Sequence, residues 1–409
     1  MRNRASTLFL AAILATSSVL FAQTEPPPTA PEPPPQTAPP QVTAPPPPAP
    51  GAVDRRDDFP NVYLFDGQGS IRLRRLIRNV LFETQINYQF VDGDISTFLR
   101  YKYYARNFTY RIGVFDSIEF PEVGSDSTDE FERVRGGLLL LGIPKDYNNR
   151  YFFLLQDDRL TFGDLTNIDN RKNNIYTKVG YQYGTQFDER MNAIVGETRG
   201  RITPVLTAFR DIGPQRTGLA AAITQALSLA HADYKYTKLE AEALHRTDVT
   251  ATSFIFSRLH AGTFLGYKTD KTKSSIIERY SIPRYEMFPL GGREALKSIP
   301  GEDDAIGIHE IHLTNELFVP IFRNKDYGLG PLHWNTMYGI GYLGAGTAAL
   351  EQSQLSDTKR LVVDVGIGTE SAITIRDFDV YFTVIVATGL HGPEGLKRTK
   401  ARFSIRTVR

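Results

Sequence analysis

Cysteine is absent from the 409 residues, and this excludes disulfide bonds as well as a lipid anchor attached through a thiol. Small exported domains usually depend on disulfides for stability. If this chain is exported, another feature must close and stabilise its fold.

Long hydrophobic runs are also missing once the N-terminal segment is set aside. A membrane-spanning helix needs about 18 or more consecutive apolar residues. The longest uncharged stretch of interest, 217–232, is shorter and contains Gln225 and His231. The sequence therefore excludes a membrane protein built from helices.

An excess of charge and a catalytic signature are lacking too. The 47 basic and 46 acidic side chains leave a net charge of +1, so we expect no nucleic-acid partner. No G-x-S-x-G motif occurs, and the seven histidines form no recognisable constellation with a nucleophile. We expect no enzymatic activity and no cofactor.

The N-terminal region carries two segments that precede the folded part. Arg2 and Arg4 stand before the apolar run 8–22, which ends in Ala22; this pattern predicts a signal peptide over 1–22. Fourteen of the 25 prolines lie within 26–50, and such a segment is extended by about 3.1 Å per residue. Residues 23–52 are thus predicted to be a disordered proline-rich linker, either a stiff spacer or a docking strip for a periplasmic or cell-wall partner.

Residues 53–80 are predicted to be a short periplasmic segment that contains a basic cluster at 70–80. The cluster, with Arg72, Arg74, Arg75 and Arg78, has two interpretations. It contacts anionic lipid or peptidoglycan, or it is the solvated start of the first strand.

Alternation with a period of two dominates residues 81–409. In 375–388, Phe378, Val380 and Phe382 share one face. In 360–371, Asp364 and Glu370 share the opposite face from the aliphatic residues and are predicted to point inward.

The strands are about 9–12 residues long, whereas strands of soluble sheets are commonly about 5–6, and aromatic residues gather near their ends. A sheet in lipid must close so that no backbone edge stays unpaired. The predicted fold class is therefore all-β, a transmembrane antiparallel β-barrel of 12–16 strands, with sixteen counted. The counted strands lie near 81–90, 96–105, 107–116, 130–140, 150–158, 174–184, 190–200, 202–210, 217–230, 232–245, 251–267, 308–321, 332–346, 360–372, 376–389 and 400–408.

A glycine-rich, charged segment at 288–304 interrupts these strands, and its residues carry a resemblance. The segment contains Leu290, Gly291 and Gly292, then Leu296, Lys297 and Pro300, with Gly307 downstream. The next strand contains Asn315, Glu316, Leu317, Pro320 and Ile321, and a later strand contains Gly366 and Gly368. Over about 285–409 the chain resembles the C-terminal barrel of the BamA/TamA type, the bacterial surface-antigen family.

The resemblance implies that the segment is a loop folded into the barrel lumen. In the family, an Arg-Gly-aromatic core locks this loop to acidic residues of the wall. Here Lys297, Ser298 and Ile299 stand in its place. Lys297 is then expected to bond Asp364 or Glu370, more loosely than an arginine would, since its ammonium is a point charge. The alternative is an ordinary surface loop.

The resemblance also implies location and function. We expect a bacterial outer-membrane protein that acts in insertion, assembly or translocation of proteins or lipids, with the lipid bilayer and a client protein or lipid as partners. Residues 53–80 leave no room for the periplasmic POTRA repeats of the family. The family seam between the first and last strands would lie near 81–90 and 400–408. The alternative is a plugged or narrow pore, or a structural barrel tethered by its proline-rich arm.

Three residues at the start of the strand after the loop suggest a metal site, namely His309, Glu310 and His312. On a strand, His309 points to the opposite face from the other two residues. The three cannot form one site, so we assign their polarity to the lumen and predict no metal.

Overall fold

The computed structural model describes residues 61–408. Gaps fall at 66–67, 78–79, 90–94, 105–108, 120–129, 146–148, 165–166, 184–216, 230, 273–278, 292–294, 300–304, 324–326, 331, 376–377, 394–395 and 397. The predicted signal peptide, the proline-rich linker and the strands expected at 190–200 and 202–210 lie outside the described residues. The predicted strand number therefore stays a prediction.

The described residues form long antiparallel strands. In chain order they are β1 (Asn61–Phe65), β2 (Gln68–Ile77), β3 (Val80–Gln89), β4 (Ile95–Tyr104), β5 (Thr109–Glu119), β6 (Glu130–Pro144), β7 (Asn149–Asp164), β8 (Asn167–Tyr183), β9 (Thr217–Ala226), β10 (Thr237–Asp248), β11 (Phe254–Leu265), β12 (Phe288–Pro289), β13 (Ile306–Gly307), β14 (His309–Phe322), β15 (Tyr327–Leu329), β16 (Leu332–Ala349), β17 (Val362–Ile375), β18 (Phe378–His391) and β19 (Thr399–Val408). Two short 3-10 turns, Arg284–Glu286 and Gln352–Ser356, complete them.

Seventeen of these strands belong to one sheet, in which each long strand pairs with the next along the chain. The segment between β11 and β14 contains β12 and β13, which pair with each other. β11 and β14 also pair directly. At the ends of the sheet, β1 pairs with β19. This pairing is compatible with the predicted barrel, in which the first and last strands are neighbours.

The sheet begins earlier than the sequence predicts. Residues 61–77 form β1 and β2, whereas we expected 53–80 to be a periplasmic segment. Most of the basic cluster at 70–80 lies in β2, which pairs with β3 over ten residue positions, as the interpretation as the start of a strand expects. Arg78 lies outside the described residues, and contact of the cluster with anionic lipid or peptidoglycan stays a prediction.

The seam is displaced for the same reason. We expected 81–90 to face 400–408, but β19 pairs with β1 at Tyr63, Leu64 and Phe65. This ladder has three residue pairs, whereas β18 and β19 share ten. The seam between β1 and β19 is therefore the shorter of the two pairings that β19 makes.

Apolar side chains are exposed on one face of the strands from β5 onward, among the residues whose side chains the structure describes. In β9, Leu219 and Ile223 are exposed while Ala220, Ala222 and Thr224 are buried. Residues exposed in the same way on other strands are Ile112, Val114, Val179, Leu313, Leu317, Leu343, Ile367, Phe382, Val386 and Phe403. An apolar outer face is the pattern that contact with lipid requires.

Charged side chains occupy the opposite, buried face. They are Lys178, Lys238, Glu240, Glu242, Arg258, Glu310, Glu316, Asp364, Glu370 and Arg402. The buried face thus holds many charged side chains together with an apolar cluster that includes Phe254, Phe256 and Phe318. The exposed face is apolar, as contact with lipid requires. Within the described ranges no helix is long and apolar enough to cross a membrane.

Candidate functional site

The segment between β11 and β14, residues 266–308, is the candidate site, and we call it the lumen loop. Its buried apolar side chains include Ile282, Phe288, Leu290, Leu296 and Ile299. Phe288 of β12 pairs with Gly307 of β13, so the middle of the loop is joined to its C-terminal end by a short antiparallel ladder.

The loop lies on the concave side of the sheet. One part of it contacts Asp158 on β7 and Lys238 on β10. Another part contacts Asp364 on β17 and Arg402 on β19. A segment that reaches strands so far apart around the sheet must cross its interior, so the interpretation as an ordinary surface loop does not fit the described residues.

Residues 295–299 form what we call the tip of the lumen loop, and Lys297 within it is buried. Its Nζ is 2.7 Å from Oε1 of Glu316 on β14 and 4.6 Å from the ring centre of Tyr342 on β16. The ion pair is itself buried, and removing one partner of such a pair leaves an uncompensated charge, which costs about 3–5 kcal/mol.

Asp364 holds the tip through the backbone. The Ser298 N–H donates to Oδ2 of Asp364 at 2.9 Å, and the Tyr342 hydroxyl donates to Oδ1 at 3.0 Å. The Lys297 N–H in turn donates to the Tyr342 oxygen at 3.3 Å. A backbone N–H that donates to a carboxylate forms a strong, charge-assisted hydrogen bond, and this bond holds the chain in place at Ser298.

Arg402 of β19 binds the same tip from the other side. Its Nε donates to the Lys297 carbonyl oxygen at 2.8 Å, and its Nη2 donates to the Ile299 carbonyl oxygen. The fixed fork of a guanidinium suits two neighbouring acceptors. The guanidinium that binds the tip thus belongs to Arg402 of the sheet, whereas the loop itself contributes the ammonium group of Lys297.

The structure places the predicted partners of Lys297 as follows. Asp364 meets the loop at the Ser298 N–H and bonds Tyr342 of β16 within the wall. The ion pair of Lys297 is with Glu316, which the sequence analysis named only as part of the motif after the loop. Glu370 is buried on β17 and accepts a hydrogen bond from Thr383 at 3.4 Å. A direct bond from Lys297 to Asp364 or Glu370 stays a prediction.

Other predicted loop residues divide between described and undescribed positions. Leu290 and Leu296 are buried together with Ile299 and Val362, and Gly291 bridges to Leu296. Gly292 and Pro300 lie outside the described residues.

The remaining motif residues belong to β13 and β14. A Cβ on Gly307 would come within 2.5 Å of the Ala349 backbone nitrogen, so no larger residue fits there. Asn315 accepts a hydrogen bond from Ser257 at 2.7 Å. Pro320 lies where the pairing of β14 with β16 shifts register, a position that tolerates a residue without an N–H.

Glycines of the wall make room for the loop. A Cβ on Gly344 would lie 2.3 Å from Asp364 Oδ1 and 2.8 Å from Leu296 Cδ2. A Cβ on Gly262 would lie 2.2 Å from the Phe288 ring, and one on Gly346 would lie 2.9 Å from Leu290 Cδ1. The loop and the glycines therefore fit each other at three positions.

Residues 279–288, which we call the N-terminal limb of the lumen loop, have a polar anchor of their own. The Tyr285 hydroxyl donates to Asp158 Oδ2 at 2.5 Å and accepts from Asn174 Nδ2 at 2.8 Å. Burial raises the pKa of Tyr285 well above its ordinary value, which keeps the hydroxyl protonated as a donor.

Glu286 adds an ion pair beside it. Its Oε2 is 3.2 Å from Lys238 Nζ. Lys238 also pairs with Glu240 at 2.8 Å, and Glu240 with Lys178 at 3.3 Å. Two cations and two anions alternate here, so the buried charges compensate one another.

Several of these functional residues were missed by the sequence analysis. Alternation along 401–409 puts Arg402 on the face opposite Ala401 and Phe403, and so gives its direction but not its target. Tyr342 and Gly344 carry no comparable signal, because their contacts depend on where a loop some 45 residues earlier in the chain ends up.

Comparisons with known proteins agree on the fold. No protein-family model and no curated protein sequence matches the chain. Among solved structures, the chain is similar to BamA from Haemophilus ducreyi lacking POTRA domains 1-3, with 12% identity and a TM-score of 0.58. That match covers 86% of this chain and 69% of BamA.

Two further structures are CdiB proteins. For CdiB from Escherichia coli the identity is 11% and the TM-score 0.60, with 86% of this chain and 62% of CdiB covered. For CdiB from Acinetobacter baumannii the values are 11%, 0.55, 85% and 59%. The chain thus spans about six tenths of the CdiB proteins. These likenesses confirm the predicted fold class, an all-β antiparallel fold like that of the BamA and CdiB barrels, while the strand number stays a prediction.

Proposed function

We propose that this protein is a bacterial outer-membrane barrel of the BamA/TamA type that acts in the insertion, assembly or translocation of proteins or lipids. The observation that carries the proposal is the lumen loop, held at its tip by Glu316, Asp364 and Arg402. The proposed location is supported by the apolar outer face, and export by the predicted signal peptide over 1–22.

The short seam supports the same function. Three residue pairs join β1 to β19, against ten between β18 and β19. Opening such a seam breaks few backbone hydrogen bonds and would expose strand edges for pairing with a client strand. The resemblance to the BamA/TamA family implies this use of the seam.

Depletion of the protein tests the proposal. We expect the abundance of several other outer-membrane barrels, or of a defined surface lipid, to fall when the protein is depleted, as measured by quantitative proteomics and lipid analysis of outer membranes. Re-expression from a plasmid is the control and should restore the levels. If only the protein itself disappears while every other component keeps its level, the assembly proposal is wrong.

A second function is favoured by one observation, namely that the loop fills the space inside the sheet between β7 and β19. A plugged pore would have this arrangement. Deleting 290–305 should then raise the single-channel conductance of the purified protein in a planar bilayer well above that of the intact chain. An unchanged conductance would remove the pore from consideration.

A further inference from the structure

Three side chains on two neighbouring strands form a compact cluster on the buried face of the sheet. His260 Nδ1 is 2.8 Å from Glu310 Oε2, and His312 Nδ1 is 2.5 Å from Glu310 Oε1. The potential ligand atoms of the three residues all lie within 4.8 Å of one another. We call these residues the histidine cluster.

Strand register explains why they meet. His260 of β11 lies opposite His312 of β14, and Gly262 lies opposite Glu310. Glu310 and His312 are two positions apart and so share a face. The two imidazole rings stack at a centroid distance of 5.4 Å, and the glycine beside Glu310 leaves space above the cluster.

The lumen loop closes that space. The Phe288 ring lies where a side chain on Gly262 would be, and its centroid is 5.9 Å from the centroid of His260. Leu290 lies where a side chain on Gly346 would be, and Gly346 pairs with His312. The cluster therefore lies between the wall and an apolar cover, largely shielded from water.

One ring nitrogen of the cluster has no partner. His312 is buried, and its Nε2 makes no hydrogen bond among the described residues. Buried polar atoms in proteins are nearly always satisfied, so the described residues meet the hydrogen-bonding capacity of this ring only in part. Glu242, which lies opposite His260 on β10, adds negative charge nearby, although it also pairs with Arg258.

We propose that the histidine cluster is a binding site for a divalent transition-metal ion of the Zn²⁺ class. Two imidazole nitrogens and one carboxylate are a ligand set that Zn²⁺ prefers, at about 2.0–2.2 Å per bond. Tetrahedral ligands at that length are about 3.3 Å apart, so each of the two His–Glu distances must lengthen by less than about 1 Å to admit the ion.

His309 is not part of this site. Its Nδ1 lies 2.7 Å from the Thr263 hydroxyl. The sequence analysis separated His309 from Glu310 and His312 by parity, and the structure agrees with that separation; it did not anticipate that β11 supplies His260. A bound ion would join β11 to β14, the two strands from which the lumen loop departs and to which it returns.

Zinc titration of the purified full-length protein in detergent tests the site, after metal is stripped with a chelator. We expect one Zn²⁺ per chain by elemental analysis after gel filtration, and a melting temperature that rises with added ZnCl₂. The variants His260→Asn and His312→Asn should each weaken zinc binding at least tenfold. His309→Asn, a buried histidine of the same strand, is the matched control and should bind like the parent.

Folding of each variant is checked by the heat-dependent shift of barrels on gels. A parent protein that binds no more zinc than the His260→Asn/His312→Asn double variant would overturn the proposal. Should the variants fail to fold, X-ray absorption of the zinc-loaded parent decides: two imidazole ligands are expected, and a spectrum without imidazole would also overturn it. This inference does not depend on the proposed function.

Discussion

Gly344 is a wall residue with no room for a side chain, because a Cβ there would lie 2.8 Å from Leu296 Cδ2 of the loop as well as against two wall residues that hold the loop. A Cβ there would lie 2.2 Å from the Tyr342 hydroxyl and 2.3 Å from Asp364 Oδ1. We expect Gly344→Ala to displace the tip and to lower the free energy of unfolding by about 1–3 kcal/mol, as overpacking does. Protease protection of the loop and the melting temperature in detergent measure the two effects.

Gly341 on the same strand is the matched control. Its added Cβ would meet only the Leu317 Cβ at 3.8 Å, which is ordinary contact. Gly341→Ala should therefore leave loop protection and melting temperature close to those of the parent. Equal effects of the two substitutions would show that Gly344 has no special relation to the loop.

Lys297 is the second residue whose replacement has a clear consequence. Lys297→Ala leaves Glu316 buried without its cation, 2.7 Å from where the ammonium was, and should destabilise the protein by about 3–5 kcal/mol. The double variant Lys297→Ala/Glu316→Ala removes both charges and should recover part of that loss. Unfolding in detergent and urea measures both, and a double variant as unstable as the sum of the singles would contradict the pairing.

At this scale the sequence predicted that Lys297 anchors the loop and that Asp364 faces inward. It did not predict Glu316 as the ionic partner. Parity fixes the face of a strand on which a side chain lies, but not which of several inward carboxylates a folded loop reaches.

As an element, the lumen loop is held to the sheet by two separate sets of contacts. Its N-terminal limb contacts β7, β8 and β10, whereas its tip contacts β14, β16, β17 and β19. The limb and the tip are thus anchored to different parts of the sheet, and each anchor can be weakened separately.

Tyr285→Phe tests the limb. The substitution keeps the ring but removes the hydroxyl that donates to Asp158 and accepts from Asn174. Each of these residues keeps one other partner, Gln156 and Tyr236 respectively, so the expected cost is about 1–3 kcal/mol in total. We expect faster proteolysis near 279–288. Tyr267→Phe, in the half-buried start of the loop where the ring contacts Tyr280, should change little; equal cleavage in both variants would refute the anchor.

Among the elements, the long alternating strands of the C-terminal half were predictable. β14, β16, β17, β18 and β19 lie close to their predicted bounds, because apolar and polar residues alternate cleanly there. β2 was missed because an arginine-rich strand looks like a solvated segment, and β1 because five residues are too few to show a clear period. Only pairing with β19 and β3 identifies them as part of the sheet.

At the scale of the whole molecule, the account requires that the seam between β1 and β19 opens. Leu64 and Ile405 are paired across it, and residues opposite each other in an antiparallel ladder are close enough for a disulfide. The chain has no cysteine of its own. A seam lock, Leu64→Cys with Ile405→Cys, can therefore be made without competing thiols.

The most direct measurement is the abundance of other outer-membrane barrels in a depleted strain that expresses the seam lock. The control lock is Val384→Cys with Phe403→Cys, which joins β18 to β19 within the longer ladder. The account predicts that the oxidised seam lock fails to restore barrel levels, that the reduced form restores them, and that the control lock restores them in both states. Full restoration by the oxidised seam lock would contradict the central claim that this barrel works by opening its seam.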